Sequence, residues 1–518
     1  MPYSFREGRY IHDFPAFSGS GRDILLNPSQ GIALERNLLT LATSRSGKGA
    51  CQIVPNLLHW PHNALVIDPK GEAAELTWQA REAMGQSVHV LDPFEACKVP
   101  DRLRATLNPL DGIDPASPHA FRQINALADG LVMRHSAEAG HWDQGTCQLL
   151  AGLIAQILTD DRFAGRRNLG TLREVVLGPD LREILEEMAR NPACGRLPMT
   201  GASKLLKSGG EAVHFLSGAT TNTVWIDDPL MDRCLARSSF ELPALKSGRV
   251  TVYLVLPFEA LADYGRFLRL FVRMALFQMM QKMPDGSLKG ERCLFLLDEF
   301  FSLGNIGEIA KAAGGMPGYN LHLWPFLQDL PQLYELYGQN GAQTFLANAD
   351  AVFAYGINDP VTGKYVSEAA GLVTEDELDV NPPPKPQYEV PRRFSAPKGS
   401  AWGIMQRLMN WESAEYRRFR RANMQPDLLD EGRPDPTTAN RHNLASAEWR
   451  QEKENSEAGY QDALTRYRQA ERTIGHPRIT PQEAMALTRK HDARKVSECA
   501  LMMKSVLCYR IQHKAYWE

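Results

Sequence analysis

The chain has 518 residues, of which 43% are hydrophobic and 23% charged, and its formal net charge is -3. This length exceeds what one hydrophobic core usually spans, so we expect roughly two to four structural units. The balanced charge excludes a surface that is basic throughout, and contact with nucleic acid would need a local patch or a pore built from several subunits. The eight cysteines show no C-x-x-C spacing, which argues against a zinc site or a disulfide framework.

No segment has the composition of a signal peptide or a membrane helix. Residues 1–19 lack the apolar core of a signal peptide. No stretch approaches the roughly 18 consecutive apolar residues that a membrane-spanning helix needs. We therefore expect this chain to have no transmembrane segment and to lie in the cytoplasm.

Short, continuous apolar runs bounded by turn signals predict buried parallel strands. The runs cover residues 37–41, 64–67, 88–91, 250–256, 293–297, 321–326 and 351–355. Stretches with helical periodicity separate them. This alternation predicts an α/β fold built around one sheet.

Between the two groups of strands, residues 113–235 show the 3.6-residue period of helices. Two helical faces have this period: Phe121, Ile124, Leu127 and Leu131; and Trp142, Leu149, Leu150, Leu153, Ile154 and Ile157. Thr171 and Glu174 match a capping box, which predicts a third helix beginning at Thr171. We predict an all-α domain inserted into the α/β domain.

After Gly371 the chain becomes irregular. Residues 381–399 are rich in proline and predict a linker, whereas residues 400–475 are highly charged and predict solvated helices or an arm that binds a partner. Apolar character returns in CALMMKSVLCYRI, residues 499–511, which predicts one last strand.

The stretch ATSRSGKGAC, residues 42–51, lies between a predicted strand and a helix and approximates the phosphate-binding pattern G-x-x-x-x-G-K-[ST]. Ala42 replaces the first glycine, and Gly49 replaces the residue whose hydroxyl would hold magnesium. Backbone N–H groups of such a loop surround phosphates, and Lys48 would reach the β- and γ-phosphates. Taken alone, the stretch fits an ordinary glycine turn equally well. The candidate nucleotide-binding residues are Thr43, Ser44, Arg45, Ser46, Gly47, Lys48, Gly49 and Ala50.

Two acids and an amide follow later strands. Asp298 and Glu299 come directly after the run 293–297, at the strand end where α/β sheets bind their ligands. Asp298 fits a residue that holds magnesium through water, and Glu299 fits the general base that activates the attacking water. Gln328 fits a sensor of the γ-phosphate. The alternatives are two solvated acids and a polar residue that ends a strand.

In this order, the motifs SGKG, PNLL, DPKGE, DEF and LQ resemble the type IV secretion coupling proteins, the TraG/TraD-like ATPases of bacterial conjugation. The similar stretches cover most of residues 36–371, and residues 475–487 are similar to the closing segment of that family. The resemblance implies a RecA-like P-loop domain with an inserted all-α domain, assembled as a homo-hexamer around a channel. It implies ATP and Mg2+ as cofactors, with Lys48, Glu299 and Gln328 as catalytic residues and Asp298 at the metal.

The resemblance also implies a division of the chain. We expect residues 1–35 as a lead-in, 36–112 and 236–380 as two parts of the RecA-like domain, 113–235 as the insertion, 381–475 as the linker with a charged extension, and 476–518 as a closing segment. The implied partners are single-stranded DNA, a relaxase or effector cargo, and components of the secretion channel.

Three departures from the family affect these expectations. A glycine after the lysine is usual in the family, but Ala42 is not, and it would cost on the order of 1 kcal/mol if the loop needs a backbone geometry that only glycine reaches freely. Met316 and Pro317 stand where the arginine finger is expected. Arg266 and Arg269 are the nearest substitutes, unless they are solvated positions on an amphipathic helix. Without a finger, hydrolysis would be slow.

The third departure concerns the membrane-spanning helices with which family members usually begin, because this chain starts almost directly at the soluble domain. We expect either that a separate tether holds it at the inner face of the bacterial cytoplasmic membrane or that it works as a cytoplasmic form. The segment YRRFRRA could contact DNA, or it could be an exposed helix face. Its candidate DNA-contacting residues are Arg417, Arg418, Arg420 and Arg421. Two other functions stay open: a soluble HerA/FtsK-like DNA translocase, and a docking platform that hydrolyses ATP weakly.

Overall fold

A central β-sheet positions the site residues. The computed structural model describes residues 12–13, 23–27, 30–133, 140–207, 209–370, 451, 454–466, 468, 480–482, 485, 497–503 and 507–513. The strands of the sheet are β1 (His12–Asp13), β4 (Asn37–Ala42), β5 (Asn63–Asp68), β6 (Ser87–Leu91), β7 (Val250–Val255), β8 (Cys293–Leu297), β9 (Leu321–Leu327), β10 (Ala349–Tyr355), β11 (Ser497–Met503) and β12 (Leu507–His513). Strands β2 (Ile24–Asn27) and β3 (Gln30–Ile32) pair separately.

The strand order within the described residues is β1-β12-β11-β10-β4-β9-β8-β5-β7-β6. From β10 to β6 every neighbouring pair runs parallel. The seven strands predicted from apolar runs all occur, with boundaries within two residues of those expected. The predicted α/β class is therefore confirmed.

Strands β4, β5, β7, β8, β9 and β10 are buried on both faces of the sheet, which explains why their sequences are apolar runs. Along β5, Leu65 and Ile67 belong to one hydrophobic cluster, while Ala64 and Val66 belong to another on the opposite face. Successive side chains of a strand point to opposite faces, so a strand covered on both sides needs apolar residues at every position.

The end of the chain differs from the prediction of one last strand. Strand β11 pairs antiparallel with β10, and β12 pairs antiparallel with β11. The prediction failed because the apolar run was taken as continuous across the polar pair Lys504–Ser505. The closing segment adds a hairpin to the sheet.

The helices are α1 (Val54–His59), α2 (Glu72–Ala83), α3 (Ala120–Leu131), α4 (His141–Thr159), α5 (Leu169–Leu177), α6 (Leu181–Met188), α7 (Ala193–Leu206), α8 (Ala212–Thr223), α9 (Pro229–Leu235), α10 (Ala244–Ser247), α11 (Leu261–Met279), α12 (Gly307–Ala312), α13 (Leu330–Ala347) and α14 (Pro360–Ala370). Helices α3 to α10 lie between β6 and β7 in the sequence. The chain divides into two compact units, residues 1–371 with 478–518, and residues 372–477. In the second unit, residues 454–466 are helical and largely exposed.

Two local predictions in the helical region were wrong. Helix α5 begins at Leu169, and its cap is Asn168, whose side-chain oxygen accepts the N–H of Thr171 at 2.9 Å. The capping box does not form because Asn168 already satisfies that donor, and Glu174 instead binds Arg166. The first residues of the two predicted apolar faces, Phe121 and Trp142, are 46% and 45% exposed.

No helix in the described part of the chain combines the length and the apolarity that crossing a bilayer requires.

Candidate nucleotide site

The phosphate loop connects β4 to a helix. Arg45 and Gly47 have φ angles of 63° and 94°, and such left-handed residues turn successive N–H groups toward one side of a loop. A single π-helical turn, Gly49–Ile53, follows and continues into α1. The N–H of Cys51 donates to the carbonyl of Gly47 at 2.9 Å. The loop therefore has the concave backbone that an anion requires.

Ala42 lies in β4 and has no role that requires glycine. It pairs with Tyr355 of β10 and is buried, and its φ is not positive. The cost considered for an alanine at this position does not arise, because the left-handed residues of the loop are Arg45 and Gly47.

Gly49 occupies the position of the usual hydroxyl residue. Its φ is not positive, and a Cβ atom built on it would meet no other atom within 4 Å. Space and backbone would both accept serine or threonine at this position.

Lys48 lies between the two acids that follow β8. Its Nζ is 2.7 Å from Asp298 Oδ1 and 2.9 Å from Glu299 Oε1, and all three side chains are 15–16% exposed. The sequence-predicted lysine and acids are thus brought together, although β4 and β8 are separated by β9 in the sheet.

One cation faces two carboxylates in this cluster. Burial by itself would lower the pKa of Lys48, yet Asp298 and Glu299 overcome this effect and raise it above the ordinary value. Burial raises the pKa of Asp298, with Glu299 adding to the shift and Lys48 opposing it. The excess negative charge and the oxygen donors are the chemistry that Mg2+ prefers, usually with one or two carboxylates, water and phosphate oxygens. The donor set therefore fits a magnesium–nucleotide complex. Within the described residues there is no group of three or more His, Cys, Asp or Glu side chains that could hold a metal without such help.

Glu299 has a strained backbone that its surroundings maintain. Its φ and ψ are 51° and 44°, a left-handed conformation that costs a residue other than glycine about 1–3 kcal/mol. Its N–H donates to Asp298 Oδ1 at 2.9 Å, and its carbonyl accepts the Ser302 hydroxyl at 2.8 Å. This turn directs the carboxylate of Glu299 toward Lys48.

Asp68, in the DPKGE motif, is an acid of this site that sequence reasoning did not identify. It ends β5, which pairs with β8 so that Ile67 is opposite Leu297, and it is 5% exposed. Burial raises the pKa of Asp68 to about 7, and the charge of Asp298 adds to that shift, whereas the N–H of Ala74 stabilises the carboxylate. Its position directly after an apolar strand was the available signal.

Gln328 follows β9 at the same edge of the sheet. Leu327 pairs with Leu41 of β4, and the next residues along the two strands are Gln328 and Ala42, where the loop begins. The N–H of Gln328 donates to the side chain of Gln332 at 2.9 Å. The strand order therefore puts the sensor candidate between the loop and the acidic turn.

A buried polar network also supports the loop, and no sequence pattern predicted it. The side-chain oxygen of Gln52 accepts the hydroxyls of Thr40 at 3.1 Å and Tyr355 at 2.8 Å, and Trp324 donates to Thr40 at 2.9 Å. These bonds fix the helix after the loop to β4, β9 and β10.

Arg269 is not a solvated residue on an amphipathic helix. It is 0% exposed, and its guanidinium donates to the carbonyls of Leu303 at 2.9 Å and Asn305 at 2.7 Å. A side chain held inside its own subunit cannot extend to a neighbour, so the expectation of a finger at Arg269 is wrong. Arg266 is half-buried and donates to Asn222 at 3.2 Å.

The segment that departs from the family pattern has Met316 fully buried in the short helix Met316–Tyr319. The candidates Arg417, Arg418, Arg420 and Arg421 lie outside the described residues.

Three comparisons with known proteins relate the chain to one family and to one fold. The model of the family described as Type IV secretory system Conjugative DNA transfer matches residues 15–381. Protein VirD4 of Agrobacterium fabrum strain C58 is 29% identical over 341 residues, covering 65% of this chain and 49% of VirD4. Conjugal transfer protein TraG of Escherichia coli is 27% identical over 363 residues, covering 65% and 55%. The chain thus spans about half the length of the curated relatives it matches.

Among solved structures, the plasmid coupling protein TrwB in complex with the ATP analogue ADPNP has a TM-score of 0.52 at 16% identity, covering 68% of this chain and 79% of that one. TrwB in complex with ADP and Mg2+ has a TM-score of 0.51 at the same identity, covering 68% and 79%. These likenesses establish a shared fold.

Proposed function

Because this chain belongs to the type IV secretory system conjugative DNA transfer family, we propose that it is an ATP-driven coupling protein. In this role it links a relaxase–DNA complex or protein cargo to a secretion channel and moves single-stranded DNA by hydrolysing ATP. The observation that carries the proposal is the contact of Lys48 with both Asp298 and Glu299 beside a concave phosphate loop.

Each residue of the cluster has a separate task in hydrolysis. The N–H groups of the loop and the ammonium of Lys48 bind the phosphates, and Lys48 leaves its two carboxylates to do so. Glu299 accepts a proton from the attacking water, and Gln328 senses the γ-phosphate. Magnesium, when bound, neutralises charge on the phosphate oxygens, and Asp298 would hold it through water, since Gly49 offers no hydroxyl.

Oligomerisation decides how fast the site works. We propose a homo-hexamer around a DNA channel, with the sites at subunit boundaries. An arginine finger contributes orders of magnitude to the hydrolysis rate in related enzymes. With Met316 buried where that arginine is expected and Arg269 buried elsewhere, turnover is slow unless another arginine replaces it.

The partners follow from the same proposal. They are single-stranded DNA, relaxase or effector cargo, and channel components at the inner face of the cytoplasmic membrane. The arginines of residues 417–421 remain candidate DNA contacts. TraG is named a conjugal transfer protein and TrwB a plasmid coupling protein, which supports this assignment.

The test is ATP hydrolysis with and without single-stranded DNA, with oligomer size recorded in parallel. We expect DNA to stimulate the parent, and Glu299→Gln to lower turnover about 100-fold or more while nucleotide still binds. Lys48→Ala should lose both binding and turnover. Glu259→Gln, at an exposed glutamate outside the site, is the matched control. A parent that turns over no faster than Glu299→Gln in every oligomeric state would rule out the motor.

In that case the second candidate function is favoured, which is a docking platform that binds nucleotide and recruits cargo. Its specific support is the burial of both Met316 and Arg269, so that neither position offers an arginine to a neighbouring subunit.

A further inference from the structure

The turn between β10 and α14, residues 356–359, lies against the phosphate loop. The Thr43 hydroxyl donates to the carbonyl of Gly356 at 2.5 Å. Gly356 has φ 65°, and a Cβ on it would lie 2.7 Å from both Ser46 Cβ and Thr43 Oγ1. No side chain fits at this position, so the backbone of the turn packs directly against the side chains of Thr43 and Ser46 in the loop.

At its other end, the same turn is connected by hydrogen bonds to the segment that follows Gln328. The N–H of Leu330 donates to the Thr362 hydroxyl at 2.9 Å, and the N–H of Thr362 donates to Asp359 Oδ1 at 2.7 Å. Thr362 is fully buried. Burial raises the pKa of Asp329, and the charge of Asp359 adds to that shift, as expected where the two turns lie side by side.

We propose that this turn couples the phosphate loop to the sensor, with Thr362 as the positioning residue for Gln328. This coupling proposal rests on the proposed function. When the loop adjusts to the phosphates, the carbonyl of Gly356 follows Thr43, and the start of α14 follows Gly356. Leu330 then follows Thr362, because a buried N–H that loses its acceptor is strongly disfavoured. The place of Gln328, two residues before Leu330, thus depends on the state of the loop.

The experiment compares Thr362→Val, which keeps the shape and removes the acceptor, with Thr362→Ser, which keeps the acceptor. Nucleotide affinity, turnover and hydrogen exchange of a peptide covering residues 326–334 are measured, using a non-hydrolysable ATP analogue for the exchange. We expect Thr362→Val to keep its nucleotide affinity within about twofold while turnover falls about tenfold, the effect of one lost hydrogen bond. Its exchange in 326–334 should no longer respond to the analogue, whereas Thr362→Ser should behave like the parent.

Thr43→Val breaks the other end of the connection at a partly exposed side chain. With saturating analogue it should also lose the exchange response in 326–334, which keeps the test decisive should Thr362→Val fold poorly. Equal losses in Thr362→Ser and Thr362→Val, or a parental exchange response in Thr362→Val or Thr43→Val, would overturn the coupling. Because exchange needs only bound nucleotide, it decides this proposal even if the parent proves unable to hydrolyse ATP.

Discussion

The phosphate loop, residues 43–50, and the acidic turn, residues 298–305, face each other but are built differently. The loop offers backbone N–H groups, oriented by its left-handed residues Arg45 and Gly47, together with one charged side chain, that of Lys48. The acidic turn acts through side chains, and its strained Glu299 depends on Arg269, which donates hydrogen bonds to the carbonyls of Leu303 and Asn305 in the same turn. A backbone-based site tolerates changes in side chain at its edges, whereas a side-chain-based site depends on residues that touch no substrate.

The largest effect should come from Arg269→Met, which removes that support. The carbonyls of Leu303 and Asn305 would lose their buried donor, so we expect a loss of about 2–4 kcal/mol in the free energy of unfolding. Turnover should fall more than nucleotide affinity, because the acidic turn moves and the loop does not. Urea denaturation and ATPase kinetics measure both.

Arg266→Met is the matched control, one helical turn away on the same helix. It is half-buried and should cost less than about 1 kcal/mol. Similar losses in the two variants would mean that Arg269 has no special part in supporting the turn.

Asp68→Asn should change how stability depends on pH. The pKa of Asp68 is raised to about 7 from 3.8, so the folded state binds a proton that the unfolded state has released, and the parent loses stability as pH rises through this window. Asparagine has no such dependence. We expect the variant to gain up to a few kcal/mol relative to the parent between pH 4 and pH 8.

Asp92→Asn provides the comparison for this prediction. Asp92 is also buried directly after a strand, but it accepts two backbone N–H groups and pairs with Arg104 at 3.2 Å. Its replacement should bring no gain at pH 8. Thermal unfolding across the pH range decides between the two behaviours.

Gly49→Thr should be accepted by the loop with little change in stability. The added hydroxyl meets open space. We expect nucleotide to bind severalfold more tightly in the presence of Mg2+, because one added ligand or hydrogen bond contributes about 1 kcal/mol. A magnesium titration with a fluorescent nucleotide measures the effect. Gly47→Thr, at φ 94°, is the control and should weaken nucleotide binding in the same assay.

The smallest effect is expected for Ala42→Gly. Because Ala42 lies in a strand, restoring the family glycine should leave nucleotide affinity unchanged and cost about 0.5–1 kcal/mol in stability. A clear gain in affinity would mean that the loop extends back into β4.

The sequence predicted those parts of the molecule in which a single physical requirement determines the type of residue. Strands covered on both faces must be apolar throughout, so β5 and β8 were visible as runs. The phosphate loop and Glu299 occur where a strand ends at an open edge, and the order of the motifs along the chain indicated a nucleotide site that the loop stretch alone did not.

Features that depend on tertiary contacts could not be predicted. An arginine at a helical position looks the same whether it faces water or, like Arg269, two carbonyls from a distant turn. Asn168 displaced the expected capping box because it satisfies the donor first. Thr362 and Gly356 became relevant only when the fold put them beside the sensor and the loop.

Strand β10 has a consequence for how the chain folds. Its outer neighbour, β11, begins at Ser497, more than a hundred residues after β10 ends. Until that segment is made, β10 exposes an unpaired apolar edge next to the strand that carries the phosphate loop, and such edges pair with other chains. The sheet can therefore be completed only after residues 497–503 have been made, and a chain cut after residue 371 should aggregate through β10.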